Sequence, residues 1–166
     1  MNVRHALVAA VGAVALASTA QASEVGASKK IGLGLGGGTV NSGLAGKYFL
    51  SDKLALQGVV GSYAGWGLGL DVDAVQQFGS LAKGDAGELV WGLGAGVGLF
   101  TWDSGKAGIA AGGSSLSLSG VGQLAFRFNA APIEVTAEWR PGFYLGDSAI
   151  SGLYLGGTGG AVRWFF

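Results

Sequence analysis

Histidine is the side chain on which most general-base and imidazole-metal chemistry would turn, and His5 is the only one in the 166-residue chain. Hydrolases and acyl transferases commonly set a His beside a Ser, Asp or Glu to activate a nucleophile. Beyond residue 5 there is no such base, no imidazole ligand and no imidazole pH switch. Cysteine is absent, which removes disulfides, thiolate nucleophiles and Cys-based metal sites. Ser117 and Ser119 remain as hydroxyls, but they alternate with Leu116 and Leu118 and read as the polar face of a strand. Gly32-x-Gly34-x-Gly36-Gly37 has the look of a phosphate-binding loop. That loop needs a helix N-terminus after the strand to hold the anion, and here a second strand pattern follows. Asp71 and Asp73 suggest a calcium loop, yet the EF-hand continuation is missing, and arginine partners are expected for them instead. The expectation is therefore a non-enzyme with no cofactor and no metal.

Composition narrows the partners. Ten Lys plus Arg balance ten Asp plus Glu, so no net field draws the chain to nucleic acid. Glycine is abundant at 34 residues and proline scarce at 2, without a period of three, which excludes collagen and Pro-rich linkers. No composition shift divides the chain after its first segment, and one domain is expected.

That first segment, 1–22, reads as a secretory signal peptide. Arg4 and His5 precede the apolar run Ala6–Ala17, and Ala20-Gln21-Ala22 has the small-x-small form of a cleavage site. Cleavage after Ala22 would leave a mature chain of 23–166. A retained anchor is the alternative, but the run is short for a spanning helix.

From Ile31 onward the organising signal is alternation at period two, the mark of strands whose faces meet different environments. Ile133, Val135, Ala137, Trp139, Pro141, Phe143 and Leu145 point one way, against Glu134, Thr136, Glu138, Arg140 and Tyr144. Leu116, Leu118, Leu124, Phe126 and Phe128 oppose Ser117, Ser119, Gln123, Arg127 and Asn129. Strands are predicted near 31–37, 43–50, 54–64, 66–78, 88–101, 116–129, 133–145 and 153–166. Short turns are expected at 51–53 and 129–132, and a polar turn at 79–87. On the opposite side the segment Trp102–Ser115 is the one long loop and the candidate contact surface, its small residues Gly105, Gly108, Ala110, Ala111, Gly112 and Gly113 offering no recognisable ligand chemistry.

Eight strands of this length, an even number, fit a closed antiparallel eight-stranded transmembrane β-barrel with the apolar face outward. An open sheet would leave free edges in lipid. Outward aromatic residues sort to two levels, as interfacial girdles do. Tyr48, Phe78, Trp91, Phe126, Phe128, Trp164 and Phe166 fall near the chain-end side, and Trp66, Phe143 and Tyr154 near the other.

The strand-turn-strand unit Tyr48 to Leu56 resembles that of the small bacterial outer-membrane β-barrel family, the group of OmpA transmembrane domains, OmpX and OmpW. Val162-x-Trp164-x-Phe166 resembles the C-terminal assembly signal of that family. The resemblance implies residence in the outer membrane, with the lipid bilayer as solvent, and delivery by periplasmic chaperones to the barrel-assembly machinery. It specifies how a barrel is made and not what it does. No peptidoglycan-binding domain of the OmpA kind is seen after the barrel pattern, and anchoring of the cell wall is not expected.

An eight-stranded barrel is narrow enough for side chains to fill. The inward charges on this register are Lys47, Arg127, Arg140 and Arg163 against Asp71, Asp73, Glu134 and Glu138, an even match of sign, with Arg127 and Glu134 facing each other across a hairpin. The inward row Gly92, Gly94, Gly96 and Gly98 is expected to make room for long side chains opposite. A monomeric, charge-plugged barrel with a structural or surface-interaction role is expected. A narrow gated channel for ions or small solutes is the first alternative. The second is a soluble periplasmic lipocalin-like barrel, in which the faces would be reversed.

Overall fold

The structure is a computed structural model, described over residues 24–39, 41–63, 67–104, 112–146 and 151–166. The segment 1–22 and its expected cleavage site lie outside these residues, as do Trp66 and residues 105–111 of the expected long loop.

Ten strand segments run in chain order: β1 (Ile31–Gly38), β2 (Asn41–Phe49), β3 (Leu54–Tyr63), β4 (Gly67–Gly84), β5 (Gly87–Trp102), β6 (Gly113–Phe128), β7 (Ile133–Trp139), β8 (Gly142–Gly146), β9 (Gly152–Tyr154) and β10 (Thr158–Phe165). They form eight staves, because β7 continues into β8 and β9 into β10. Each stave pairs antiparallel with its neighbours, and β1 against β10 closes the ring. Closure leaves no edge along the body of the sheet.

The seventh stave is interrupted where Pro141 lacks an N–H for the ladder. Its register survives the break: Gly122 faces Trp139 and Ser119 faces Gly142, with the Gly120 N–H donating to the Pro141 carbonyl at 2.8 Å. The in-out parity of 133–145 is therefore continuous. The eighth stave behaves differently. Trp139 faces Thr158 while Gly142 faces Tyr154, three steps on one strand against four on the other. The extra residue within 155–157 is a bulge, and a bulge inverts parity beyond it. Leu153 consequently points outward, and Tyr154 shares the inward face of Gly142 and Tyr144, its ring 6.2 Å from that of Tyr144. This corrects the expectation that Tyr154 belongs to an outward girdle.

A second correction concerns 79–87. Instead of a loop, β4 and β5 continue as a hairpin to a two-residue tip at Asp85 and Ala86, with irregularities at Gln77/Gly79 and Ser80/Ala82. Asn129, expected as an inward strand residue, lies past β6 and braces that tip: its side-chain amide donates to the carbonyls of Gly84 and Asp85 at 3.0 and 3.2 Å.

The two faces differ in kind. Leu33, Leu35, Leu44 and Leu68 on the outward face are 59–67% exposed, whereas Lys47, Asp73, Glu134 and Arg163 are at most 3% exposed. Tyr48, Phe78, Trp91, Phe128, Phe143, Trp164 and Phe166 stand outward with the leucines, and Val162 with them; Phe126 is half-buried against Phe128, edge to face at 4.9 Å. Phe78 stacks on Trp91 at 4.7 Å. A buried apolar cluster sits at the chain-end mouth, where Val25, Phe49, Ala55 and Phe165 are buried together.

Candidate functional site

The inward positions of β2, β4, β6, β7 and β10, with Arg140 just past β7, bring the eight charged residues into one column, and the column divides into two groups. The first is centred on Glu134. Its Oε1 accepts from Lys47 Nζ at 2.6 Å and its Oε2 from Arg127 Nε at 3.2 Å, while Arg163 Nη1 stands 3.9 Å from Oε1. Arg127 and Glu134 are direct cross-strand partners, and so are Glu134 and Arg163. Register alone therefore places Glu134 between two arginines, and Lys47 reaches it across the barrel. Arg127 also donates to Gln77 Oε1.

The second group is centred on Arg140, next to the break in the seventh stave. Its guanidinium donates to both oxygens of Asp73 at 2.7 and 2.9 Å, to Glu138 Oε2 at 2.7 Å and to Asp71 Oδ1 at 3.3 Å. The planar fork suits this: five donors in fixed directions can serve several carboxylates at once. Asn41 donates to Asp71 at 2.9 Å and completes that side.

Two amides join the groups. Gln123 accepts from Lys47 at 3.3 Å and donates to Glu138 at 2.9 Å and to Gln57 at 2.8 Å; Gln57 donates to Glu138 at 2.8 Å. An amide carries both a donor and an acceptor, so it can mediate between a cationic and an anionic cluster. Gln57, Gln77 and Asn41 were not singled out from sequence. The available signal was parity, since each occupies a polar position in phase with the inward face of its strand.

Apolar and aromatic side chains stand at both ends of the column. At the chain-end mouth the turn 24–30 folds back so that Val25 is buried against the opening, with Gly26 at φ 83° packed on Phe49. Lys47 Nζ and Arg127 Cζ each lie 5.1 Å from the Phe49 ring centroid, within cation–π range. At the other mouth Tyr63, Phe100, Trp102 and Tyr144 form a ring cluster with centroid separations of 5.1–6.4 Å. A pocket of about 20 Å³ lined by Asn41, Asp71, Asp73, Glu138 and Arg140 has room for roughly one water.

The glycine row on β5 makes room for near neighbours, which corrects the expectation of long side chains opposite. A Cβ on Gly96 would overlap the Asp73 carboxylate, and one on Gly98 would lie 2.6 Å from the Phe100 ring. Ser117 is buried at the inward position facing Gly98 and Tyr144.

No family profile, curated protein or solved structure matches this chain.

Proposed function

We propose that the chain is a small integral outer-membrane barrel whose interior is plugged by its own charges, with a structural or surface-interaction role. The observation that carries the reading is the inversion of the usual faces: large apolar side chains cover the outside of a closed barrel while its charges are buried within. In water such an exterior would be one continuous apolar patch, far beyond the few hundred Å² that soluble monomers expose. In lipid it is the expected outer band, and it also disfavours the lipocalin-like alternative. The Phe78–Trp91 and Phe126–Phe128 pairs on the chain-end side support an interfacial level there. On this reading the chain ends are periplasmic, lipid is the principal partner, and periplasmic chaperones and the assembly machinery deliver the chain.

The plug is favoured over the gated channel by the filling of the interior: apolar or aromatic side chains stand at both mouths of the described barrel, and the pocket beside Arg140 has room for about one water. The test is refolding into detergent, with heat-shifted gel mobility as the folding control, followed by planar-bilayer conductance. A heat-modifiable, electrically silent protein is expected. Discrete channels altered by Arg140→Met or Glu138→Gln would replace the plug with a gated pore, and a monodisperse protein in detergent-free buffer would overturn the membrane reading.

A further inference from the structure

Residues 24–30 precede β1 and close on themselves. The Gly26 N–H donates to the Lys29 carbonyl at 2.9 Å, the Ala27 and Lys29 N–H groups donate to the Glu24 carbonyl at 3.2 and 3.0 Å, and Lys29 Nζ stands 3.1 Å from Glu24 Oε2. Val25 and Gly26 are the two residues of this turn that are buried. Val25 rests on a seat built from three strands, with Phe49 at the end of β2, Ala55 at the start of β3 and Phe165 at the end of β10. Gly32 on β1 makes that seat possible, because a Cβ there would lie 2.6 Å from the Phe165 ring. The Phe49 ring carries the contact inward. Gly26 packs on its edge, and Lys47 and Arg127, both bonded to Glu134, each lie 5.1 Å from its centroid. Turn, ring and cationic half of the column therefore stand in series.

Resting on the plugged-barrel reading above, we infer that residues 24–30 are a hinged lid on the chain-end mouth, seated by Val25, which controls the access of water and small solutes to the cationic half of the column. The hinge is Lys30, whose carbonyl accepts from the Phe49 N–H at 2.9 Å and fixes the turn to β2. Lifting the turn about that point keeps the hydrogen bonds that close within it and gives up the burial of one valine and a contact on one ring. That loss is small beside the paired staves, so the lid opens as a local unit while the barrel stays closed. Its charged side chains, Glu24 and Lys29, already face water and lose nothing on opening. Gly26 fits the same role. It sits at φ 83°, where a side chain is strained, and a Cβ would stand 3.3 Å from the Phe49 ring, so glycine lets the lid close tightly on the seat. Seated, the turn keeps water from Phe49 and from the ion pairs behind it; lifted, it leaves the ring as their cover.

The test uses the refolded chain in detergent and a single thiol, which is clean because the sequence has no cysteine. Ala55→Cys places that thiol in the seat beneath Val25, and its reaction with an anionic methanethiosulfonate reports how often the lid is open. Slow labelling is expected with Val25 in place. Adding Val25→Asp, which puts a charge in an apolar seat, should speed labelling by about tenfold or more, the worth of one buried valine. Gly26→Val should act in the same direction, and Val25→Leu should keep the thiol protected. Val121→Cys, buried on β6 further along the barrel, should stay slow in all of these backgrounds, and heat-modifiable mobility should persist. Equal labelling of Ala55→Cys with and without Val25→Asp would overturn the lid. So would parallel acceleration at Val121→Cys or loss of heat-modifiable mobility, because the turn would then be part of what holds the barrel together. A lid that fails on the first count leaves the plugged, heat-modifiable barrel standing, so the two readings fall separately.

Discussion

The two halves of the buried column are mirror images in charge. Around Glu134, one carboxylate serves three cations, Lys47, Arg127 and Arg163; around Arg140, one guanidinium serves three carboxylates, Asp71, Asp73 and Glu138. Each half alone carries an excess of two charges, and only together do they reach neutrality. Their surroundings differ as well. The Glu134 side chain is fully buried, whereas that of Arg140 is 12% exposed beside a small cavity. The lesson is that neutrality here belongs to the column and not to any pair, so the stability of each half depends on a hub residue and on the amide bridge between them.

Removing a hub should separate the halves most sharply. Glu134→Gln leaves three cations in a dry site with no anion, and a loss of about 5 kcal/mol, or failure to fold, is expected in urea titrations followed by heat-modifiable mobility. Arg140→Met leaves three carboxylates, but these keep donors from Asn41, Gln57 and Gln123 and some access to water. The expected loss is smaller, about 3 kcal/mol. Acid should distinguish the two further: lowering the pH neutralises bare carboxylates and should recover stability in Arg140→Met, while it adds nothing useful to Glu134→Gln. Equal losses with equal pH responses would show that the halves are not distinct.

The bridge comes next. Gln123→Leu removes the acceptor for Lys47 and the donors to Glu138 and Gln57, for an expected cost of about 2 kcal/mol. Combined with Arg140→Met it should be non-additive, because both changes strip donors from Glu138. Additivity in that double-mutant cycle would mean the amide does not couple the groups. The smallest effects contrast two glycines. Gly96→Ala drives a methyl into Asp73 and should cost about 1 kcal/mol, while Gly46→Ala, on the outward face with no atom within 4 Å of the new carbon, should stay within about 0.5 kcal/mol of wild type.

The site was legible in sequence wherever alternation ran unbroken. Glu134, Glu138, Arg127 and Lys47 sit in phase with their strands, so parity alone turned them to one side, and the 129–132 turn set Arg127 opposite Glu134. Tyr154 was misplaced because a bulge leaves no period of its own, and one inserted residue reverses every side chain beyond it. The segment 79–87 reads as a turn because Gly79, Gly84 and Gly87 with Ser80, Lys83 and Asp85 have turn composition, and only pairing between β4 and β5 keeps it extended to the tip. Val25 carried no signal at all, since its burial depends on a mouth built by Phe49 and Phe165 from distant strands.

What the sequence by itself determined is a matter of local period: eight alternating staves, an apolar face and a charged one, and charges balanced in number. Which charge meets which was decided by tertiary structure. Closure of the ring sets the stagger between staves, and that stagger brought Lys47 across to Glu134 and gathered Asp71, Asp73 and Glu138 around Arg140. Period reports the face a residue points to, whereas depth along a barrel depends on how all the strands are offset, which no single strand encodes.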